Sequence, residues 1–179
     1  MKIRKAFATL TICVFLALTI ATFVNLHEAS AQYIADCRKL VTGTYLTTVS
    51  GDFGSFRLIT TITQDGNYFV TGSNQSDAPS PLDQSGVSSV QPYSNVQGSW
   101  KCTSDREITA TVLNFNYPTA TLPGAITRSD ISATFDPKAG IVQATATLRS
   151  FSLNANPLKD HAPVAGTETF TGPRITPGQ

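Results

Sequence analysis

The stretch 98-GSWKCTSDREITATVLNFNY-117 decides the fold. It places the only Trp, Trp100, two residues before Cys102 and then runs into the clearest alternation in the chain. Ile108, Ala110 and Val112 fall on one side, and Glu107, Thr109 and Thr111 on the other. That is the period of a half-buried strand. Thr103-Ser104-Asp105 supplies residues that bend the backbone and bond to it locally, so the stretch reads as two antiparallel strands joined by a tight turn.

Working outward, the same chemistry recurs. Segments rich in Thr, Val, Ile, Phe and Tyr are separated by clusters of Gly, Pro, Asp and Asn. Eight strands are expected, at 43–50, 55–64, 67–73, 95–102, 106–117, 125–136, 140–153 and 164–172, with helical periodicity sustained nowhere. The connections 64–67, 103–105 and 136–140 are tight, and each follows an even-numbered strand. Those at 50–55, 74–94, 118–124 and 154–163 follow odd-numbered strands and read as looser. In an up-and-down meander all odd strands finish at the same end. The fold class is therefore all-β, a closed up-and-down antiparallel barrel of about eight strands, stitched short at one end and carrying long loops around a mouth at the other. Closure removes the sheet edges that would otherwise pair with other chains.

The N-terminus carries Lys2, Arg4 and Lys5, an apolar run from Ala6 to Val24, and Ala29-Ser30-Ala31. Residues 1–31 read as an export signal that is removed, the alternative being a retained anchor. The domain organisation is then signal 1–31, an N-terminal arm 32–42, a barrel 43–173 and a C-terminal tail 174–179. The remaining 148 residues suit one core, and their 10 basic and 11 acidic side chains give no attraction for polyanions, so no nucleic-acid partner is expected. Cys37 and Cys102 remain in a chain leaving the reducing cytoplasm, and a disulfide between them is the natural reading, with two separate thiols as the alternative. The location expected is periplasmic or extracellular, with no membrane embedding after signal removal.

Gly43-Thr44-Tyr45 at the first strand and Gly98-Ser99-Trp100 resemble the pattern of small secreted bacterial lipocalin-like (calycin-like) barrels, over roughly Gly43 to Gly172. In lipocalins the first strand carries Gly-x-Trp, with the Trp packed over the barrel base, and Tyr45 takes that place here. The likeness extends to allene-oxide-cyclase-like and dirigent barrels, whose chemistry depends on a shaped apolar cavity. The resemblance thus implies a cavity rather than a named ligand.

Two strands break phase near the mouth. Leu113, Phe115 and Tyr117 leave the face of Ile108, Ala110 and Val112, while Phe151 and Leu153 leave that of Val142, Ala144, Ala146 and Leu148. Either a one-residue bulge re-aims these aromatics into the cavity, or they stay outside as an apolar patch. The leading expectation is a barrel binding a small apolar or amphipathic molecule. Its site comprises Phe56, Leu58, Ile62, Trp100, Val112, Phe115, Tyr117, Leu148, Arg149 and Phe151, with room left by Ala133, Ala144 and Ala146. Arg149 has two readings, a partner for a ligand carboxylate or a surface charge, and Arg128 with Asp130 reads as a solvated pair.

The polar stretch 74–94 reads as a flap over the mouth or as a merely mobile loop. His161, the one His after the signal, leaves almost no soft metal ligands, and no metal or other cofactor is expected. Asp160-His161 is the weak candidate for an acid/base pair, and no catalytic residue is assigned. The competing classes are a filled barrel acting through its surface in the envelope or matrix, a cyclase or isomerase with Arg149 or Glu168 inside, and an outer-membrane barrel. Against the last stand the reliance on Ala for apolar faces and the lack of aromatic girdles.

Overall fold

The computed structural model describes residues 33–51, 54–75 and 91–178. The expected signal, 1–31, lies outside them. A short helix, α1 (33–41), precedes eight strands: β1 (Gly43–Gly51), β2 (Gly54–Ile62), β3 (Asn67–Gly72), β4 (Val96–Ser104), β5 (Glu107–Asn116), β6 (Ala125–Asp136), β7 (Ile141–Ser152) and β8 (Gly166–Pro173). The compact unit that carries the barrel starts at Cys37. Each strand pairs antiparallel with its sequence neighbour, and β8 closes on β1 from Thr48↔Thr171 to Gly51↔Glu168. The expected up-and-down closed barrel is the fold.

The tight end is built by turn chemistry. Between β2 and β3, the Asp65 carboxylate accepts from the Thr63 hydroxyl and from Asn67 Nδ2 at 2.8 Å, and Gly66 takes φ 98°, in the region open to glycine. The Thr63 bond, first among these contacts, holds Asp65 below the usual carboxylate range. Between β6 and β7, Asp136 Oδ1 accepts from the Lys138 and Ala139 amides at 2.8 and 3.1 Å, and Gly140 has φ 64°.

The mouth end departs from expectation at one corner. Strands β1 and β2 run on to Gly51 and Gly54, which leaves only residues 52 and 53 between them, so this connection is short. The loose ones are 73–95, 117–124 and 153–165. Sequence composition read Gly51 and Gly54 as loop, but a closing ladder needs only their backbones.

Helix α1 occupies what reads in sequence as an irregular arm. Its apolar signal is too brief to register as a period, because it lasts barely two turns and rests on Cys37, Leu40 and Val41. Cys37 and Val41, four residues apart on one face, are fully buried at the tight end. The Tyr45 hydroxyl donates to the Val41 carbonyl at 2.9 Å, and its ring meets Phe135 edge-on at 5.5 Å. The Thr42 amide donates to Arg38 O at 3.1 Å, ending the helix. Arg174 donates to the carbonyls of Leu40 and Thr42, so a cation sits at the helix C-terminus, where the peptide dipoles favour it. These bonds tie the segment after β8 to the sealed base.

Trp100 Nε1 donates to Thr63 O at 3.0 Å, and the Arg38 guanidinium lies 5.9 Å from the Trp100 ring centroid. Cys37 and Cys102 form a disulfide that fastens α1 to β4. A loop of this length, 65 residues of separation, is worth about 4 kcal/mol on the chain-entropy model. Reduction, or the Cys37→Ser/Cys102→Ser double variant, is therefore expected to cost about 2–4 kcal/mol, read as a lower urea midpoint with the barrel's far-UV signal retained. Equal midpoints with and without reductant would show that the link adds nothing to the folded state.

Candidate functional site

The barrel's inward positions follow strict alternation from base to mouth, and the residue types along it change. Near the base Ile108, Ala110, Ala133, Phe135, Val142 and Ala144 are buried in one core with Tyr45, Trp100 and Val41. Toward the mouth the side chains no longer fill the bore, and a cavity of about 760 Å³ opens. Phe56, Leu58, Val70, Val112, Ile131, Ala146, Leu148 and Phe170 make its apolar wall.

Polar groups are gathered along the β5 and β6 side. Asn114 Nδ2 donates to Asn116 Oδ1 at 2.9 Å, and Asn116 Nδ2 donates to Thr127 Oγ1 at 2.7 Å, with Ser129 beside them in the lining. Thr60 also lines the cavity; its hydroxyl is buried and has no hydrogen-bond partner of normal geometry, although the Tyr68 hydroxyl lies close to it. The hydroxyl of Thr47 on β1 is also buried without a partner, but it lies outside the lining. Buried polar groups of this kind carry a desolvation cost that a bound molecule or water relieves.

Residues 91–95 lead into β4 at the mouth and run beside the end of β5, the Ser94 amide donating to Phe115 O at 2.8 Å and the Tyr117 amide to Pro92 O at 2.7 Å. Gln91 Nε2 donates to the Tyr117 and Pro123 carbonyls at 2.7 and 2.8 Å, and Tyr93 bridges to Asn116. The Tyr93 hydroxyl donates to Asn74 Oδ1 at 2.5 Å. It sits over Gly72, where an added Cβ would lie 2.1 Å from the Tyr93 oxygen, so glycine is what makes the space. Residues 76–90, most of the expected flap, lie outside the described residues.

Of the residues singled out from sequence, Phe56, Leu58, Val112 and Leu148 line the cavity together. Ile62 and Trp100 are buried in the core, outside the lining, and Ala133 and Ala144 are packed with them instead of leaving room. Phe115 and Tyr117 do not enter: they stand 55 % and 51 % exposed. The β5–β6 ladder runs without a shift from Glu107↔Thr134 to Asn116↔Ala125, and β6–β7 likewise from Ala125↔Ser152 to Asp136↔Ile141. No bulge re-aims either strand. The register shift in this region is at Cys102/Ser104, at the tight end.

Phe151 is on the outer side as well, yet buried. Register sets it against Ile126, itself buried, and the 153–165 connection folds down over this face, with Pro157 buried and its carbonyl accepting from Arg128 Nη1 at 3.2 Å. Arg149 belongs to the same outer face. Its Nη1 lies 2.7 Å from Asp130 Oδ2, while Arg128 donates to Asp130 Oδ1 at 2.9 Å, so the Arg128–Asp130 pair becomes a three-membered cluster. The surface-charge reading of Arg149 is the one realised. Asp160 caps its own loop by accepting from the Asn156 amide at 2.6 Å, and it and His161 are exposed outside the lining.

Sequence reasoning missed Asn114 and Asn116, although the signal was there: they continue the parity of Ile108, Ala110 and Val112. Following apolar character instead of parity led to the aromatics. Glu168, weighed as a strand charge and as a group inside an enzyme but not as part of the binding site, lines the cavity. Among the described residues no three His, Cys, Asp or Glu side chains converge on one point. Nor is any helix among them long and apolar enough to cross a membrane. No family model matches the chain, and no curated protein or solved structure matches it either.

The tyrosines inside the bore titrate late. Burial raises the Tyr68 phenol well above its ordinary 10.0, and burial followed by the Glu168 charge does the same for Tyr93. Tyr45 is raised by burial, with Arg174 pulling the other way. Above pH 10 the unfolded chain loses these protons while the folded one keeps them, so the stabilisation is complete below that value and declines as pH rises beyond it. Urea midpoints measured between about pH 9 and 11.5 should fall, and Tyr68→Phe or Tyr93→Phe should each flatten the fall. A decline equally steep in both variants would mean that other groups govern it.

Proposed function

We propose that this protein is an exported binding barrel of lipocalin-like type that holds a small apolar or amphipathic molecule in the mouth cavity. The observation that carries this reading is the contrast within one bore: large side chains and α1 seal the base, while a void of about 760 Å³ with an apolar wall and a few convergent hydrogen-bonding groups stays open toward the mouth. The void is of ligand size. A barrel needing only stability would fill it, since empty apolar volume is destabilising.

Export is supported by the Cys37–Cys102 disulfide, a linkage of oxidising compartments, together with the signal-like character of residues 1–31. The outward positions Thr134, Gln143, Thr145, Thr169 and Thr171 are exposed and polar, which suits a barrel surrounded by water. A second reading, a protein that works through its outer surface, is favoured by Phe115 and Tyr117, which stand half exposed beside the mouth.

The test is titration with a neutral, environment-sensitive dye such as Nile red. Saturable uptake is expected for the wild type. Ala146→Phe and Leu148→Trp, which place bulk in the void, are expected to weaken uptake by at least about tenfold while the far-UV signal and urea midpoint stay near those of the wild type. Failure of the wild type to take up dye, or identical titrations for all three proteins, would discard the cavity as a binding site.

A further inference from the structure

We infer that the ligand of the mouth cavity is facially amphipathic, with hydroxyl or carbonyl groups along one side and hydrocarbon along the other, and that Asn114, Thr127 and Ser129 read its polar side. This rests on the binding reading above and gives the ligand a chemical class.

The polar side of the cavity follows from parity on two neighbouring strands. Inward positions on β5 continue from Val112 to Asn114 and Asn116, and those on β6 run from Ile131 back to Ser129 and Thr127. Register sets Asn114 against Thr127 and Val112 against Ser129. Strand geometry then spreads the polar residues over a patch about 7 Å long and about 5 Å wide, with Val112 and Ile131 on its base side. Across the closed ring of strands stand β1 and β2, and from β2 the lining takes Phe56 and Leu58, with Thr60 below them. Leu148 and Phe170 continue the apolar wall. Toward the mouth, therefore, one wall of the bore is polar and the wall facing it is hydrocarbon.

The patch has hydrogen-bonding capacity that the fold leaves unused. Asn114 gives an amide hydrogen to Asn116 Oδ1, and Asn116 gives one to Thr127 Oγ1, so the bonds run in one direction along the row. At its ends, Asn114 Oδ1 and the Thr127 O–H meet no partner among the described residues, and neither does the Ser129 hydroxyl. Asn114 is only 9 % exposed, so its carbonyl is largely withdrawn from water as well. An acceptor and two hydroxyls within one patch suit a ligand with neighbouring oxygens on one face. A head-and-tail amphiphile with a single polar end engages one of them and leaves the others desolvated.

Methyl lithocholate, methyl deoxycholate and methyl cholate share one steroid skeleton and carry one, two and three hydroxyls on the same face. A merely apolar site favours the first, because each added hydroxyl costs desolvation. Each ester is titrated against the intact protein by displacement of Nile red, and the opposite order is expected: methyl cholate at least about fivefold tighter than methyl lithocholate, with methyl deoxycholate between. Asn114→Leu is expected to restore the hydrophobic order. Ser129→Ala removes a hydroxyl that has no partner in the fold, so it is expected to keep the urea midpoint and to shrink the methyl cholate advantage by at least about threefold. It carries the test alone if the Asn114 variant does not fold. Should the wild type rank the esters by hydrophobicity, should no ester displace the dye, or should the ranking survive unchanged in the folded variants, the facial assignment is wrong and the cavity stands. Should Nile red itself fail to bind, the binding reading falls, and the facial assignment with it.

Discussion

The structure depends on the sealing of one end of the bore. Eight strands closed on themselves enclose a column, and what fills it decides whether the molecule is solid or hollow. Here the filling is unequal. Cys37 and Val41 of α1, with Tyr45, Phe135 and Trp100 from the strands, occupy the base so fully that several of these side chains are beyond the reach of solvent. The disulfide and the Arg174 bonds to the end of α1 tie that plug to the wall. With the base closed and tied, the mouth is relieved of carrying the core, and void can be tolerated there at a cost the base offsets.

The mouth differs in chemistry as well as in space. Its wall combines large apolar side chains with amides and hydroxyls that are buried or half-buried, among them the Thr60 hydroxyl, which has no hydrogen-bond partner of normal geometry. Buried groups in that condition are uncommon where a core serves stability alone. Space and hydrogen-bonding groups thus coincide at the end where the long connections lie.

The outer face of β5–β7 is organised separately. Ile126 and Phe151 form a small cluster beneath the 153–165 connection, apart from the main core, and Asp130 gathers Arg128 and Arg149 beside it. Satellite clusters of this kind are usual under long loops. The cluster explains why Phe151 interrupts the apparent phase of β7: it serves the loop packed on the outside, and the ladder stays in register, whereas Phe115 and Tyr117 of β5 and the chain just after it stand half exposed.

How much was legible in the sequence follows from which forces act locally. Alternation, turn residues and the unequal lengths of connections are local, and from them came the strand set, the antiparallel meander and the closed barrel with its mouth, while the pairing of Cys37 with Cys102 came from two cysteines left in a chain with an export-like N-terminus. Phe56, Leu58, Val112 and Leu148 were legible as cavity residues because they obey both parity and apolar character. Helix α1, the plugging role of Trp100 and Ile62, the polar row of Asn114 and Asn116, and the ion cluster around Arg149 were decided by tertiary structure. Each depends on what lies across the bore or on which loop covers which face, and those distances are set when the strands close, by contacts between residues far apart in the chain.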